Sequence, residues 1–478
     1  MWEFINEKLM KFESCFSRKA AHRWFVIVVI GLMVRSDNLG LTSIIRALGI
    51  APHLYESLIH FFRATSWELA NIRKTWINIV AKCGLLYRVN AKMVLIGDGV
   101  KQSKEARKMP CVKKLVQESE NSAKPHYIFG HMYGAIGILL GSCEKLFCTL
   151  LSLRVHDGNE TVGAWARDPL CQESHVVRMM HEACQIALGI GSCILLLDRY
   201  YLTVPALKAL TDLGEKYGQR VLNIVTRAKK NVVAYEKPAA RTGRGRPAKK
   251  GKTLKLQSLF VSEEALFTKT QVSIYGKREE VSFLVKDLLW GQGLYCELRF
   301  VLVKFDGSTA ILVSTDTTML PEDIIELYAL RFKIESSLRE FKQVIAGFFY
   351  HFWTAAMPKL NRFVKNDANQ KRLLAISSDA QKKAIVNALK AVEGFAMFSC
   401  IAMGLLQMGA LSFGKTINNC AFRWLRTKSS PTPSEATCAD FLRKTIFHNS
   451  YFHPNLDITQ IISAAQSSNL DSFHDVVA

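Results

Sequence analysis

Two short apolar runs, each closed by an aspartate, constrain the fold of this chain most. MVLIGD (93–98) and CILLLD (193–198) are rich in Ile, Leu or Val, and a turn or helix signal follows each. Runs of that length and composition predict buried central strands, each with its last residue at the carboxyl edge of a sheet. Open α/β sheets bind their ligands at such edges. One aspartate there is often only a helix cap, but Asp98 and Asp198 together form the start of a carboxylate cluster.

A third acid comes from PEDIIELYALRFKIESSLREFKQVIAG (321–347), whose pattern predicts a helix. At about 100° per residue, Tyr328, Arg331, Glu335 and Lys342 fall within an arc of roughly 60°. Leu327, Leu330, Ile334, Leu338, Phe341 and Ile345 form a second stripe at steps of three and four. One face can pack on a core while its neighbour presents a single carboxylate flanked by cations and a phenol. The plain alternative is a solvated face on which Glu335 and Arg339 form an ordinary i,i+4 pair. Three carboxylates gather cheaply only around compensating cations. Oxygen-only ligation suits Mg²⁺ or Mn²⁺ rather than zinc.

These residues resemble the DDE transposases of bacterial insertion sequences, in the subgroup marked by Y-x2-R-x3-E-x6-K. Tyr328, Arg331, Glu335 and Lys342 match that signature at every spacing. Asp98 and Asp198 fall where the family's first and second aspartates belong, and STDTTMLPEDIIELYALRFKIE (314–335) looks like its approach to the glutamate helix. The likeness spans roughly residues 90–350. It implies an α/β fold: a ribonuclease H-like mixed sheet flanked by helices, with a β-rich insertion and helical N- and C-terminal regions. It also implies Asp98, Asp198 and Glu335 as catalytic residues holding two Mg²⁺ (or Mn²⁺) ions, about 3.5–4 Å apart in two-metal sites. Tyr328, Arg331 and Lys342 would contact DNA, and two protomers would pair in the DNA-bound complex.

The order of runs agrees with such a core. Residues 1–90 read as helices, with no strand run before Met93. GLTSIIRALGIAPHLYESLIHFFRATSW (40–67) is either a helix-turn-helix that reads DNA or a plain helical hairpin. Residues 91–231 hold three strand runs, a helical stretch (about 161–188), CILLLD, a second helix (204–217) and RVLNIVT. The first three strands are expected to form an antiparallel meander and the later ones to run parallel. Residues 232–320 comprise a basic loop and a β-rich insertion. KPAARTGRGRPAKKGKTLKL (237–256) has eight Lys or Arg and no acid. Arg241, Arg244, Arg246, Lys249, Lys250 and Lys252 are its candidate phosphate contacts, with Arg339 added from the glutamate helix. Trp290 is the candidate for stacking on a displaced base. Residues 321–350 carry the glutamate helix of the core, and 351–478 are again helical.

The formal net charge of +22 implies a polyanionic partner, most simply nucleic acid; the resemblance implies double-stranded DNA at transposon ends and target. Hydrophobic content of 49% excludes global disorder. The 12 cysteines are scattered without a C-x-x-C pair, which fits reduced thiols in the cytoplasm, near the nucleoid. Neither WFVIVVIGLMV (24–34) nor FAMFSCIAMGLLQMGALSF (395–413) reads as a membrane span. Gly409, Gly414, Lys415 and Thr416 satisfy a phosphate-loop pattern, but the preceding residues look helical rather than strand-like. The expected function is Mg-dependent DNA cleavage and strand transfer. The alternatives are an inactive DNA-binding relative acting as a repressor, a structure-specific nuclease of the same fold, and an ATPase at 409–416.

Overall fold

The computed structural model describes residues 1–117, 125–239, 247–362, 366–420 and 430–477. Its centre is one mixed sheet of thirteen described strands. In chain order they are β1 (Arg88–Val89), β2 (Lys92–Ser103), β3 (Lys113–Val116), β4 (Tyr127–Ser142), β5 (Lys145–Asp157), β6 (Cys193–Leu196), β7 (Leu222–Arg227), β8 (Val233–Tyr235), β9 (Thr253–Lys255), β10 (Thr268–Ile274), β11 (Lys277–Trp290), β12 (Cys296–Phe305) and β13 (Ser308–Ser314). β2, β4 and β5 form the antiparallel meander, while β6 and then β7 add in parallel beside β2. This is the ribonuclease H-like arrangement.

The parallel strands are short, apolar and buried on both faces, as helices cover each side. Helix His175–Ile190 leads from β5 to β6, and helix Val204–Tyr217 joins β6 to β7. The second starts at Thr203, whose Oγ1 accepts from Ala206 N at 3.3 Å, and ends at Gly218 in the left-handed region (φ +64°).

Several sequence expectations need correction. The helical stretch near 161–188 is two helices, Glu160–Trp165 and His175–Ile190. Pro169 lies between them; it lacks an N–H and disfavours a helical residue before it. The 321–347 stretch is likewise two helices, Pro321–Leu330 and Lys333–Gln343. Around Arg331 the backbone bonds shorten to i,i+3: Arg331 N to Tyr328 O at 3.1 Å, Ile334 N to Arg331 O at 3.3 Å. A tightened turn winds about 120° per residue instead of 100°, so the single 60° arc does not hold. A two-residue strand, β1, precedes Met93, and the basic loop ends in β9, which pairs with β8.

The β-rich segment extends the core sheet. β13 pairs antiparallel with β7, and β12, β11, β8 and β9 follow in order. Helix Asp379–Cys420 packs across β5, and its apolar part is a buried core helix. Gly404 permits that approach, since a Cβ there would lie 2.3 Å from the Trp76 ring. Residues 409–416 lie in this helical segment and straddle a kink at Phe413 (φ −123°, ψ 20°). They form no loop between a strand and a helix, so nothing there rings a phosphate with backbone N–H groups.

Candidate active site

Register brings the two aspartates together. The parallel ladder between β2 and β6 ends at the pair Ile96 and Leu196. Asp98 and Asp198 each lie two residues further on. Asp98 is not the last residue of its strand, contrary to the expectation from the apolar run. β2 continues to Ser103 against β4, with Asp98 opposite Ala135. The continuation GVKQS is polar and half-exposed, which hid it from a reading of apolar runs. On the β6 side, however, pairing has stopped, so Asp98 still stands at an open edge.

Asp98 Oδ1 accepts from Gly99 N at 2.8 Å. Burial raises its pKa to about 6; the Gly99 N–H and the Arg331 charge oppose this, while the charges of Asp198 and Glu335 add to it. Asp198 caps the one-turn helix Arg199–Tyr201, its Oδ1 accepting from Tyr200 N at 2.5 Å. Thr226 Oγ1 donates to the Asp198 carbonyl at 2.8 Å.

Glu335 lies in the first turn of helix Lys333–Gln343. That helix is pinned by buried Ile334, Leu338 and Phe341, and by Ser337 Oγ donating to the Cys148 carbonyl of β5 at 2.6 Å. The Glu335 side chain is 56% exposed and accepts from Arg331 Nη2 at 2.5 Å. Glu335 therefore does not pair with Arg339, which donates instead to Glu340 at 3.3 Å. Arg331 precedes Glu335 by four residues, the same i,i+4 spacing on the other side, and takes the carboxylate.

The other expected contacts surround this group unevenly. Tyr328 is half-buried, and burial raises its hydroxyl pKa while the charges of Arg331, Arg227 and Asp198 act on it. Lys342 is half-buried, with Nζ 5.7 Å from the centre of the Phe348 ring. Trp290 ends β11 and packs partly on the core. The turn after it leans on the Asp198 side of the sheet, where a Cβ on Gly291 would come 3.3 Å from Val204 Cγ2. Lys249, Lys250 and Lys252 are exposed beside β8 and β9, and Lys250 Nζ stands 4.2 Å from the Tyr235 ring centre. Arg241, Arg244 and Arg246 lie outside the described residues.

The donor set suits a hard divalent cation in kind. It is all oxygen, and one of its carboxyls, Asp98, is buried enough to have its pKa raised to about 6. It is not assembled as a cage. Among the described residues no group of three His, Cys, Asp or Glu is drawn up to hold a metal ion, and Glu335 is engaged by Arg331.

Sequence reasoning missed the residues behind the aspartates. Tyr201 hydroxyl lies 2.7 Å from His175 Nε2, His175 Nδ1 lies 2.9 Å from His156 Nδ1, and His156 Nε2 lies 3.1 Å from Glu182 Oε1. Lone histidines and tyrosines on packed elements carry no spacing signal. Gly99 and Gly134 are the residues that admit them, but β2 also carries Gly97 and β4 carries Gly130, Gly137 and Gly141, so the sequence does not single the pair out.

Residues 166–349 match the family described as Transposase DDE domain. That stretch holds Asp198 and Glu335 and begins after Asp98. No curated protein and no solved structure matches the chain. Over that stretch, laid on a ribonuclease H-like sheet, the chain is similar to the transposase DDE domain.

Proposed function

We infer that this chain is an active transposase that cuts DNA at the ends of an insertion sequence and joins those ends to a target. Asp98, Asp198 and Glu335 would hold the divalent cations. The observation that carries the reading is the shared register of Asp98 and Asp198, each two residues past the last aligned pair of neighbouring parallel strands. Bound cations would supply activation of the attacking oxygen and neutralisation of the leaving one.

The chain's own residues do the rest. Arg331 holds Glu335 in the DNA-free protein. A phosphate oxygen competes for the same guanidinium, so DNA arrival frees Glu335 to join the aspartates and leaves Arg331 on the phosphate beside the scissile bond. Lys342 adds positive charge further along that face, and Tyr328 donates a hydrogen bond to the strand. Arg339, Lys249, Lys250 and Lys252, with Arg241, Arg244 and Arg246, grip the backbone through charge and set the salt dependence of binding. Trp290, at the end of β11, would stack on a displaced base. In-line placement and charge neutralisation carry the rate, so no protein nucleophile is required. The working unit is a pair of protomers on two DNA ends, in the cytoplasm. By segment, 1–90 serves DNA binding, 91–231 with 321–350 forms the catalytic core, 232–320 shapes the DNA end, and 351–478 is a helical region available for protomer contact.

The test is Mg²⁺-dependent cleavage of DNA carrying the terminal inverted repeats that flank the gene. Wild type is expected to cut at the repeat ends, and Asp98→Ala, Asp198→Ala and Glu335→Ala to bind the same DNA without cutting. Full cleavage by all three variants would overturn the assignment. Wild-type binding without cleavage would mark a repressor, and cleavage of branched DNA lacking the repeats a structure-specific nuclease.

A further inference from the structure

Behind the two aspartates lies a buried polar chain that the DNA-handling residues do not use. Tyr201 is 3% exposed, His156 3% and Glu182 8%. The sheet is built to admit this chain. Gly99 of β2 and Gly134 of β4 are register partners. A Cβ on Gly99 would lie 2.9 Å from His175 Nε2, and one on Gly134 would lie 2.0 Å from the His156 ring. Two facing positions are thus left without side chains, and the imidazoles fill the slot.

The slot lies beside both aspartates. Gly99 is the residue after Asp98, so His175 packs against the strand that carries Asp98. Tyr201 is the last residue of the one-turn helix that Asp198 caps. A single 3₁₀ turn has little stability of its own and takes its position from tertiary anchors. The Tyr201 hydroxyl on His175 is such an anchor. One imidazole therefore ties the strand bearing Asp98 to the turn bearing Asp198.

The far end of the chain is anchored on a carboxylate. Glu182 is held as a carboxylate: burial opposes ionisation, but the charges of His156 and Arg154 beside it prevail and keep its pKa well below the usual range. A carboxylate only accepts, so His156 Nε2–H donates to it. From there the chain continues through His175 Nδ1, 2.9 Å from His156 Nδ1, and the Tyr201 hydroxyl, 2.7 Å from His175 Nε2. Burial holds His175 neutral, with its pKa lowered to about 3. The chain's contacts fix position.

We propose that Tyr201 and His175 are positioning residues that set the separation of Asp98 and Asp198, and so the affinity of that pair for a divalent cation. The proposal rests on the reading of those aspartates as cation ligands. The test is a Mn²⁺ titration of the full chain, followed by loss of the free-ion electron paramagnetic resonance signal, with thermal melts alongside. Tyr201→Phe keeps the ring and removes only the anchoring O–H; His175→Asn is an independent second variant. Both are expected to keep the number of Mn²⁺ sites and to raise the dissociation constant about tenfold or more. A merely structural role would lower the melting temperature and leave the Mn²⁺ affinity of the folded protein unchanged. Wild-type affinity in both variants, with loss of binding in Asp198→Ala, would overturn the proposal and leave the aspartate assignment standing. Wild-type affinity in Asp98→Ala and Asp198→Ala would overturn both.

Discussion

Asp98→Asn is expected to stabilise the cation-free protein while abolishing cleavage. Asn keeps the shape of the side chain and an oxygen able to accept from Gly99 N, but removes the charge. Burial lifts the Asp98 pKa from an ordinary 3.8 to about 6 in the folded chain. The difference corresponds to about 3 kcal/mol of unfavourable charging, present whenever the folded carboxyl is ionised. The sign follows from linkage. Below pH 3.8 Asp98 is neutral in both folded and unfolded chains, and the variant gains nothing. As pH rises through about 6 the wild type loses the stability it drew from binding a proton, while Asn loses none. The variant's advantage therefore builds over that interval and is complete above it. For a chain of 478 residues melting together, an unfolding entropy near 1 kcal/mol/K makes this a gain of about 3 °C. Thermal melts by circular dichroism at pH 4 and 7.5, with chelator, measure it. Added Mg²⁺ or Mn²⁺ should raise the wild-type melting temperature and leave the variant's unchanged. A variant less stable than wild type at pH 7.5, or a gain equal at both pH values, would show that the folded chain does not hold Asp98 against its charge.

Two further outcomes follow from the same site. Arg331→Met removes the partner of a carboxylate that is 56% exposed, so stability should change by less than about 1 kcal/mol; single-turnover cleavage should still fall by about a hundredfold, because a charged donor to the transition state is gone. Replacing Lys249, Lys250 and Lys252 together with Gln should flatten the plot of log affinity against log salt by about 0.9 for each duplex phosphate that is no longer neutralised; an unchanged slope in filter binding across a salt series would exclude the basic segment from the interface.

The sequence revealed those parts of the fold where one residue pattern has one structural outcome. MVLIG and CILLL read as buried strands because only a central strand buries both faces over so short a length, and the meander followed by parallel strands came from their order. The spacing of Tyr328, Arg331, Glu335 and Lys342 was legible as a motif, but its geometry was not: the i,i+3 turn at Arg331 involves no Pro or Gly to mark it. The extent of β2 was hidden because its later half is polar, held only by β4. The continuity of the sheet through β13 depends on a pairing between residues such as Val225 and Ser314, far apart in the chain, which no local pattern encodes. The Tyr201–His175–His156–Glu182 chain was invisible for the same reason, since it joins β5, helix His175–Ile190 and the turn after β6.

Whether the three acids close on a cation is decided by anomalous diffraction from Mn²⁺ in crystals of the protein bound to its terminal repeat DNA. Manganese peaks are expected in contact with carboxylate oxygens of Asp98, Asp198 and Glu335, with Arg331 moved from Glu335 to a phosphate. Manganese bound elsewhere, or Glu335 still on Arg331 with DNA and metal both present, would rule out this active site.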